Sequence, residues 1–489
     1  MKSERNGFWK ISVFAILFAV LAFISIGCAS ADTIYVPEGG NQTIQQAVDN
    51  ASEGDTIIVS DGTYNENVDV DKAYLTIRSE NGSANCIVNA SVNTTHVFEV
   101  KQDYVNISGF TVTNATGSNQ AGIQLSNVDH CNISSNTASN NNYGILLRSS
   151  SNNNLTNNTA SNNNYGILLS YSSNNNTLTS NTASNNNYGI RMSFSSNNTL
   201  TSNTASNNNY GIRLSSSSNN TLTSNNASDN YDGIYLYYSS NNNLTNNTAN
   251  SNGWFGIYLY YSSNNNNLTN NTASNNNYGI LLSFSSSNNL TNNTASNNNY
   301  GIGLSSSSNN NVSCNWVQNN TNAGFYLLGI YLTGGSTGNT IEKNNIIANG
   351  ALQGDGSYRW QLANNQPNEV STAGNWWGTA DTTRINASIH DWTYDVGWGN
   401  VTTSPNHDWT GWTYDAGWGN VTTSPRLDGP SPCAPTPEPY AFTTADAVIA
   451  LEIAVGSRPP NSRYDVSGDG RVTSLDALII LQMAAGGKR

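Results

Sequence analysis

The sequence has few charged residues. Asp, Glu, Lys and Arg together make up 10% of its 489 residues, against about a quarter in ordinary globular proteins. The balance is acidic, with a formal net charge of −13, which argues against the basic surface that nucleic-acid-binding proteins need. Amides and hydroxyls must therefore supply most of the polar surface, and we expect no nucleic-acid partner.

Residues that bind transition metals or perform acid–base chemistry are also scarce. The chain has three methionines, and its four histidines are dispersed at positions 96, 130, 390 and 407. A copper site needs such ligands gathered together, so we do not expect one. Residues 121–320 contain no Glu and no Lys. General acid–base catalysis by paired carboxylates is therefore not expected in these residues, and we assign no catalytic residue.

Only one long apolar run occurs. It extends from Ile11 to Gly27, after a basic start and before Ala29-Ser30-Ala31, which is the pattern of a secretory signal peptide over residues 1–31. An uncleaved anchor and an acylated Cys28 are the alternatives. No later run approaches the ~18 apolar residues of a membrane-spanning helix. We therefore expect a secreted or cell-surface (extracellular) protein with no membrane segment after signal removal.

Four cysteines follow the predicted signal, at positions 86, 131, 314 and 433. An even count in an exported chain suggests disulfides. However, Cys131 and Cys314 lie about eight repeats apart, or roughly 40 Å at about 4.8 Å per repeat. A disulfide needs Cα atoms within about 7 Å. We therefore predict that these two cysteines are buried singly.

What the sequence has in abundance is a repeat of 22 or 23 residues, clearest over residues 121–325. Each unit carries a Gly-Ile pair, an aliphatic residue and an Asn followed two places later by Ala. Asn, Ser and Thr fill the rest, and these residues are poor in helix interiors. Brief alternating apolar runs such as Ile145-Leu146-Leu147 predict strands instead. Such a repeat indicates a solenoid, whose units complete one another's core.

We predict an all-β parallel solenoid of about 14 turns over residues 32–380, a rod roughly 70 Å long, with a helix before the coils covering its N-terminal end. It resembles the right-handed parallel β-helix of pectate-lyase-like proteins, and specifically the Asn-rich NosD-like surface and periplasmic proteins. That resemblance implies the hand of the coil. Dense Asn-x-Ser/Thr sequons indicate a glycoprotein. The alternative is that the repeat requires Asn and Thr at these positions for structural reasons.

Strand alternation predicts which side chains face outward. Positions one and three places after each repeat glycine are aliphatic and face inward, so positions two and four places after it face outward. We predict a glycan-binding strip there, with an ordinary solvated sheet as the alternative. The strip contains Arg191, Arg213, Tyr235, Tyr237, Tyr258 and Tyr260.

Two further columns are predicted to lie inside the coil. The fifth position after the glycine returns inward as an aromatic stack of Tyr171, Phe194, Tyr238, Tyr261 and Phe284. The repeated asparagines form an amide ladder in which each side chain bonds to the turns above and below. Its members are Asn158, Asn181, Asn203, Asn225, Asn247, Asn271 and Asn293.

The C-terminal part divides by composition. Residues 381–426 contain a Trp-rich tandem duplicate, which we interpret as the C-terminal cap of the rod, with sugar stacking as the alternative. Residues 427–439 are rich in proline and predict a semi-rigid spacer. Residues 440–489 turn to Ala, Ile and Leu, and there we expect a small all-α domain.

This last domain contains the strongest motif of the chain. Oxygen-bearing side chains, a glycine and a terminal carboxylate follow calcium-loop spacing, and the expected ligands are Asp465, Ser467, Asp469, Arg471 (by its backbone carbonyl), Thr473 and Asp476.

The loop and its helix resemble a dockerin, a calcium-dependent module that binds a cohesin-type domain. A similar segment thirty residues earlier has prolines at the ligand positions, so we expect one calcium ion. The resemblance implies cohesin contacts at Ser474, Leu475, Thr444 and Ala445. A calcium loop that only stabilises a small domain is the alternative.

The sequence thus predicts an exported, non-catalytic rod for surface structure, adhesion or polysaccharide binding, attached to a partner through its calcium-dependent tail. The competing hypothesis is a carbohydrate-active enzyme, a polysaccharide lyase or glycoside hydrolase, carried to a cellulosome-like complex by the same tail.

Overall fold

The computed structural model describes residues 31–37, 40–328, 335–354, 356–365, 370–390, 421–423, 426–434, 444–456, 464, 466 and 471–484. The predicted signal peptide and most of the Trp-rich duplicate lie outside these residues. So do three of the predicted calcium ligands, Asp465, Ser467 and Asp469.

The chain coils into a parallel β-solenoid in which most turns add one strand to each of three sheets. Sheet 1 has 14 strands: Thr33–Val36, Thr56–Val59, Thr76–Ser79, Asn106–Ser108, Asn132–Ser134, Asn154–Thr156, Thr177–Thr179, Thr199–Thr201, Thr221–Thr223, Asn243–Thr245, Asn267–Thr269, Asn289–Thr291, Asn311–Ser313 and Thr340–Glu342. Sheet 2 also has 14: Val68–Val70, Phe98–Val100, Ala121–Ser126, Tyr143–Arg148, Tyr165–Ser170, Tyr188–Ser193, Tyr210–Ser215, Asp232–Tyr237, Phe255–Tyr260, Tyr278–Ser283, Tyr300–Ser305, Ala323–Leu328, Leu362–Asn365 and Ile389–His390.

Sheet 3 is interrupted. Its first part contains Gly62–Asn65, Cys86–Asn89, Thr111–Thr113, Thr137–Ser139, Thr159–Ser161, Thr182–Ser184 and Thr204–Ser206, and its second part contains Thr272–Ser274, Thr294–Ser296, Trp316–Gln318 and Asn345–Ile347. Single bridges through Asn226 and Thr248 join the two parts. Two short pairs lie near the C-terminal end, Ala351–Leu352 with Tyr358–Arg359 and Val370–Ser371 with Val421–Thr422.

Register places identical or similar apolar residues above one another, which makes the core a set of columns. Ile145 pairs with Ile123 and Ile167, and Leu155 pairs with Ile133 and Leu178. These side chains are fully buried, as is the alanine column of sheet 3. Each turn therefore buries only a few apolar residues, and its neighbours complete the core.

The corners between strands depend on left-handed backbone conformation. Ser or Asn, which tolerate positive φ in local turns, occupies most corners, for example Asn157 (φ 56°), Asn162 (φ 57°) and Asn175 (φ 56°). The next residue is in each case a buried asparagine. A left-handed residue thus turns the chain and the following amide points inward.

The predicted amide ladder is confirmed, and the structure contains two more that the sequence analysis missed. The predicted one extends through Asn136, Asn158, Asn181, Asn203, Asn225, Asn247, Asn271, Asn293, Asn315, Asn344 and Asn375. The others extend from Asn141 to Asn349 and from Asn153 to Asn339. All three lie at corners, so each turn closes on buried amides rather than on charged groups.

Asn225 shows how completely these amides are paired. Its Nδ2 donates to the Leu200 carbonyl at 2.9 Å and to Asn247 Oδ1 at 3.0 Å. Its Oδ1 accepts from the backbone N–H of Asn203 at 3.0 Å and from Asn203 Nδ2 at 2.9 Å. A buried polar group with every bond made avoids the desolvation penalty.

The repeat glycine lies against this network. A Cβ on Gly189 would lie 2.6 Å from the Gly211 carbonyl oxygen and 2.8 Å from Asn208 Nδ2. Such distances are too short for any side chain, so the glycine column is required by the close approach of adjacent turns.

The start of the coil contains helix α1, Ile44–Asn50. Thr43 and Gln46 form a capping box at its N-terminus, which pairs two otherwise unbonded N–H groups. Ile44, Ala47 and Val48 are fully buried in the same core as the first strands.

Cys314 corrects a prediction. Cys131 is buried and free as expected, but Cys314 forms a disulfide with Cys433. Cys314 occupies a left-handed corner (φ 58°), where the side chain does not enter the core. Cys131 and Cys314 are indeed too far apart to form a bridge. Cys314 instead meets Cys433 because the C-terminal segment returns to the rod.

That return also changes the predicted spacer. Within residues 426–434, the Leu427 N–H donates to the Asn375 carbonyl at 3.1 Å, and the Ser431 N–H donates to Asn345 Oδ1 at 2.6 Å. This part of the proline-rich segment therefore lies on the last turns rather than extending away from them. Helix α2, Thr382–Ala387, precedes it.

The described residues of the tail include the helices α3 (Thr444–Ala454) and α4 (Ser474–Ala484). They pack through Ala450, Ala477 and Ile480, with Tyr464 in the same cluster. Within the described part of the chain, no helix has the length and apolar character needed to cross a membrane.

Replacing Asn225 with Leu tests the ladder. The substitution leaves the Asn203 N–H without its acceptor and removes one bond each from Asn203 Nδ2, the Leu200 carbonyl and Asn247 Oδ1. Asn247 Oδ1 keeps the bond from the N–H of residue 225, so we expect a loss in free energy of unfolding of about 1–3 kcal/mol, mainly from the unpaired N–H. Urea denaturation measures it. The exposed Asn209, replaced in the same way, is the control, and equal losses in the two variants would contradict a special role for the buried amides.

Candidate functional site

The outer face of sheet 2 carries the most distinctive side chains of the rod. They occupy the positions one place before each repeat glycine and two and four places after it. We call the following set the aromatic surface: Tyr165, Tyr188, Arg191, Tyr210, Arg213, Tyr235, Tyr237, Tyr258 and Tyr260. The strands that carry these residues follow one another in the sheet, so the side chains form one continuous patch.

The structure brings the predicted strip together. The ring centroids of Tyr235 and Tyr258 are 5.1 Å apart, and those of Tyr237 and Tyr260 are 5.9 Å apart. Tyr258 and Tyr260 are also in contact, at 5.1 Å. All four tyrosines therefore belong to one packed cluster on adjacent turns.

Sequence reasoning missed a second column of rings, one place before each glycine. Tyr165, Tyr188 and Tyr210 stack on one another with centroids 4.7 Å and 5.0 Å apart and nearly parallel planes. Their repetition with the Gly-Ile pair was visible in the sequence. Because they begin each strand beside the buried glycine, alternation alone did not show that they face outward.

The two arginines connect these columns. The guanidinium of Arg191 lies 4.9 Å from the Tyr188 ring centroid, and its Nη1 donates to the Tyr165 hydroxyl at 3.1 Å. The guanidinium of Arg213 lies 4.7 Å from the Tyr210 centroid and 5.0 Å from that of Tyr235. Cation–π attraction thus holds both cations against the rings, and each Nη1 donates to the hydroxyl of a tyrosine in the neighbouring column.

The aromatic column five places after the glycine is not inside the rod, as predicted, but on its surface. Tyr171 and Phe194 are 61% and 64% exposed. These residues have positive φ, for example 51° at Phe194 and 48° at Tyr238. The strand has ended by this position, so the alternation used for the prediction no longer applies. Tyr238, Tyr261 and Phe284 stack as a second, parallel row of exposed rings.

Packing changes the chemistry of the strip. Tyr235 faces outward but is only 9% exposed, because neighbouring rings cover it. This burial raises the pKa of Tyr235 and Tyr258 well above the usual range of tyrosine. Both hydroxyls therefore stay neutral at any physiological pH and act as hydrogen-bonding groups.

Asp232 is the one carboxylate on the strands that carry the aromatic surface, from Tyr165–Ser170 to Phe255–Tyr260. It takes the place of a tyrosine in the column before the glycine, between Tyr210 and Phe255 in the register. It is 6% exposed, and its Oδ1 has no hydrogen-bond partner. Burial raises the pKa of Asp232 to about 6, against lowering effects from the Phe255 N–H and the Arg213 charge.

Other groups of polar side chains have simpler roles. On the early turns, Lys101 forms ion pairs with Asp69 at 3.1 Å and Glu99 at 3.2 Å, so its charge is already compensated. Among the residues that the structure describes, no three His, Cys, Asp or Glu side chains come together as a metal site would require.

Part of the predicted calcium loop is visible. Asp476 is buried, and its Oδ2 accepts bonds from the N–H of Thr473 at 2.8 Å and from the Thr473 hydroxyl at 2.9 Å. These bonds fix the first turn of α4. Of the predicted partner contacts, Ser474 and Leu475 are exposed, whereas the side chains of Thr444 and Ala445 lie outside the described set.

Two family profiles match the rod. The profile described as right-handed beta helix region matches residues 173–295 and 262–375, and that of the periplasmic copper-binding protein NosD matches residues 48–232. A cell surface glycoprotein of Methanothermus fervidus is 42% identical over 96 residues. The match spans 19% of this chain and only 15% of that protein's length.

Two solved structures are similar to this chain at low sequence identity. The Dettilon tailspike protein is 14% identical, with 65% of this chain and 68% of that chain covered and a TM-score of 0.49. The mannuronan C-5 epimerase AlgE4 A-module of Azotobacter vinelandii is 16% identical, with 58% and 90% covered and a TM-score of 0.48. The profile matches and the coiled sheets together show that this chain contains a right-handed parallel β-helix.

The raised pKa of Asp232 predicts a pH-dependent stability. A raised pKa favours the neutral form, so the stability that this form contributes is present below the ordinary value of 3.8 and is lost as pH rises through about 6. At pH 8, we expect Asp232→Asn to be more stable than the wild type by up to about 3 kcal/mol, and equal to it near pH 4. Urea denaturation across this range tests the prediction, with the exposed Asp229→Asn as control. A difference that does not change with pH would contradict it.

Proposed function

We propose that this chain is an exported, non-catalytic rod that binds a polysaccharide or surface glycan along its aromatic surface. The observation that carries the proposal is the continuous run of outward tyrosines and arginines on adjacent turns of sheet 2, from Tyr165 to Tyr260. Aromatic side chains with a polar tip are suited to binding partners that are both apolar and hydroxylated, and sugars have this character.

The orientation of the rings defines how such a ligand is held. Rings such as Tyr165 and Tyr188 stack along the rod with planes 6° apart, so each covers the faces of its neighbours. The surface therefore presents ring edges, hydroxyls and the guanidinium groups of Arg191 and Arg213. We expect a ligand held by hydrogen bonds across several turns, rather than by sugar rings stacked on single aromatic faces.

The distribution of charged residues favours a surface that binds a glycan without cleaving it. The only carboxylate of the aromatic surface's strands is Asp232, and it has no second carboxylate beside it in the register, where Tyr210 and Phe255 are its neighbours. Paired carboxylates are the usual requirement for glycoside hydrolysis. Lys101 on the early turns is compensated by Asp69 and Glu99.

We place the protein outside the cytoplasm. Support comes from the predicted signal peptide and from the partial matches to a cell surface glycoprotein and to a periplasmic protein family. The low charge and the many amides suit an exposed rod, because a surface of amides and hydroxyls is insensitive to the salt that screens charged groups.

We propose that the tail binds one calcium ion and, through it, a cohesin-type domain. The exposed apolar residues of its two helices support a partner surface. Val448 and Leu451 on α3 lie thirty residues before Leu478 and Leu481 on α4, and all four are 44–55% exposed. Leu475, also 53% exposed, extends this set on α4 next to the loop.

Replacing Tyr235, Tyr237, Tyr258 and Tyr260 together with Ser tests the aromatic surface. We expect loss of polysaccharide binding with an unchanged far-ultraviolet circular dichroism spectrum, because the strands are held by the ladders and the apolar columns behind this face. Binding is measured on a glycan array. Exposed rings elsewhere, Tyr74 and Tyr104, replaced by Ser, are the control.

Two outcomes would contradict the proposal. Unchanged binding in the four-tyrosine variant would place the site elsewhere. New reducing ends or unsaturated products, released from a polysaccharide by the wild type, would show that the rod is an enzyme.

Isothermal titration of the whole chain with calcium tests the tail. We expect one site, because only one loop retains its oxygen ligands, and we expect Asp465→Ala and Asp476→Ala to abolish it. Asp428→Ala, which removes an exposed carboxylate outside the loop, should bind calcium normally. Two equivalent sites, or none, would show that the one-loop interpretation is wrong. If the chain binds calcium but not a recombinant cohesin domain, the partner proposal is wrong and calcium only stabilises the tail.

A further inference from the structure

Asp232 interrupts an otherwise aromatic column, and the rings rearrange around it. From Tyr210 the stacking leaves the column before the glycine and continues through Tyr235, with centroids 5.9 Å apart. It proceeds to Tyr258 at 5.1 Å and returns to the original column at Phe255, 4.1 Å from Tyr258. The carboxylate therefore lies where the ring stack detours, not at the margin of the aromatic surface.

Two buried polar atoms at this place have no hydrogen-bond partner. They are Asp232 Oδ1 and Arg213 Nε. They belong to adjacent turns, because Tyr210 pairs with Asp232 and Arg213 pairs with Tyr235. Arg213 uses Nη1 for the Tyr188 hydroxyl at 3.4 Å, which leaves Nε unused. Buried polar atoms are almost always paired. An unpaired acceptor and an unpaired donor on adjacent turns, whose charges interact, therefore point to a ligand that bonds to both.

The two charges select the chemistry of that ligand. A carboxylate or phosphate would accept from Arg213 but would be repelled by Asp232. An ammonium group would be attracted by Asp232 but repelled by Arg213. A neutral hydroxyl both donates and accepts, so adjacent hydroxyls of a sugar ring satisfy both atoms without an uncompensated charge. The surrounding tyrosines supply the apolar contact.

We propose that Asp232 and Arg213 form the specificity subsite of the aromatic surface, which takes a neutral sugar residue with adjacent hydroxyls in preference to a uronic acid or an amino sugar. The inference rests on the proposed glycan-binding function and deepens it. Because Asp232 is buried, the proposal requires a neighbouring ring to rotate when the ligand binds, and such rotamer changes are common on binding.

The pH dependence follows from the groups that face Asp232. Arg213 and Tyr210 face it from the preceding turn and Tyr258 from the next, and Tyr231 precedes it in the corner. Burial raises the pKa of Tyr210 and of Tyr258, so both hydroxyls stay neutral at pH 5 to 8, whereas Asp232 changes charge in this range. Below pH 6 its neutral form no longer repels a carboxylate. Preference for neutral over uronic ligands should therefore be strong at pH 7.5 and weak at pH 5.

The test uses the full chain and hexasaccharides of neutral hexose, of hexuronate and of hexosamine as probes, in titration calorimetry at pH 7.5 and pH 5. The wild type should bind neutral probes at least tenfold more tightly than the others at pH 7.5. Asp232→Asn and Arg213→Gln should each lower the neutral affinity at least tenfold, and together by less than the product of the two effects. Asp229→Asn, which removes an exposed carboxylate three residues away, should change it less than threefold.

The outcomes separate this inference from the function on which it rests. A wild type that prefers hexuronate at pH 7.5 would overturn the subsite, and so would an Asp232→Asn variant with unchanged neutral affinity. In either case, loss of binding in the four-tyrosine variant would still support the aromatic surface. If no saccharide binds the wild type, both proposals fail. We expect the Asp232→Asn variant to be more stable than the wild type above pH 6, so loss of binding at pH 7.5 would not result from misfolding.

Discussion

The rod depends on the pairing of buried amides at its corners. Each turn must bend at several corners without leaving backbone groups unbonded. At most corners a left-handed Ser or Asn bends the chain, and an inward asparagine follows it. The amide bonds to its counterparts above and below, as Asn225 does with Asn203 and Asn247. Because every turn supplies the same groups at the same place, the ladders satisfy one another without charged residues. This explains how a chain with 10% charged residues builds a long polar solenoid.

A uniform scaffold makes its exceptions informative. Behind the aromatic surface, the isoleucine and leucine columns repeat almost without variation, and stability does not require the residues on the outer face to differ from turn to turn. They nevertheless do differ: Arg191 and Arg213 are followed by Tyr235 and Tyr258 in the same column. Asp232 is the strongest exception, because a buried carboxylate with an unpaired oxygen costs stability. A cost of this kind is typical of functional positions.

Much of the fold followed from the sequence because its repeat is strict. The period of 22 or 23 residues, the alternating apolar runs and the asparagine column predicted strands, parallel stacking and one of three ladders. The aromatic column of Phe194 and Tyr238 was placed wrongly, because alternation holds only within a strand and both residues lie in left-handed corners just beyond one. The Cys314–Cys433 bridge was missed because it joins the rod to a segment outside the repeat.

The candidate site was only partly predictable. The outward tyrosines and arginines followed from counting positions after each glycine. The ring column of Tyr165 and Tyr188 and the position of Asp232 within it required the register between turns, which the pattern within a single unit does not contain.

A crystal structure of the full chain with a bound neutral oligosaccharide tests the central claim most directly. We predict that the sugar lies across the outer face of sheet 2 between Tyr188 and Tyr260, with hydroxyls bonded to Arg213 and Asp232 and with its glycosidic bonds intact. A sugar bound instead on the early turns near Glu99 and Lys101, or one found cleaved, would contradict a binding rod whose function resides in its aromatic surface.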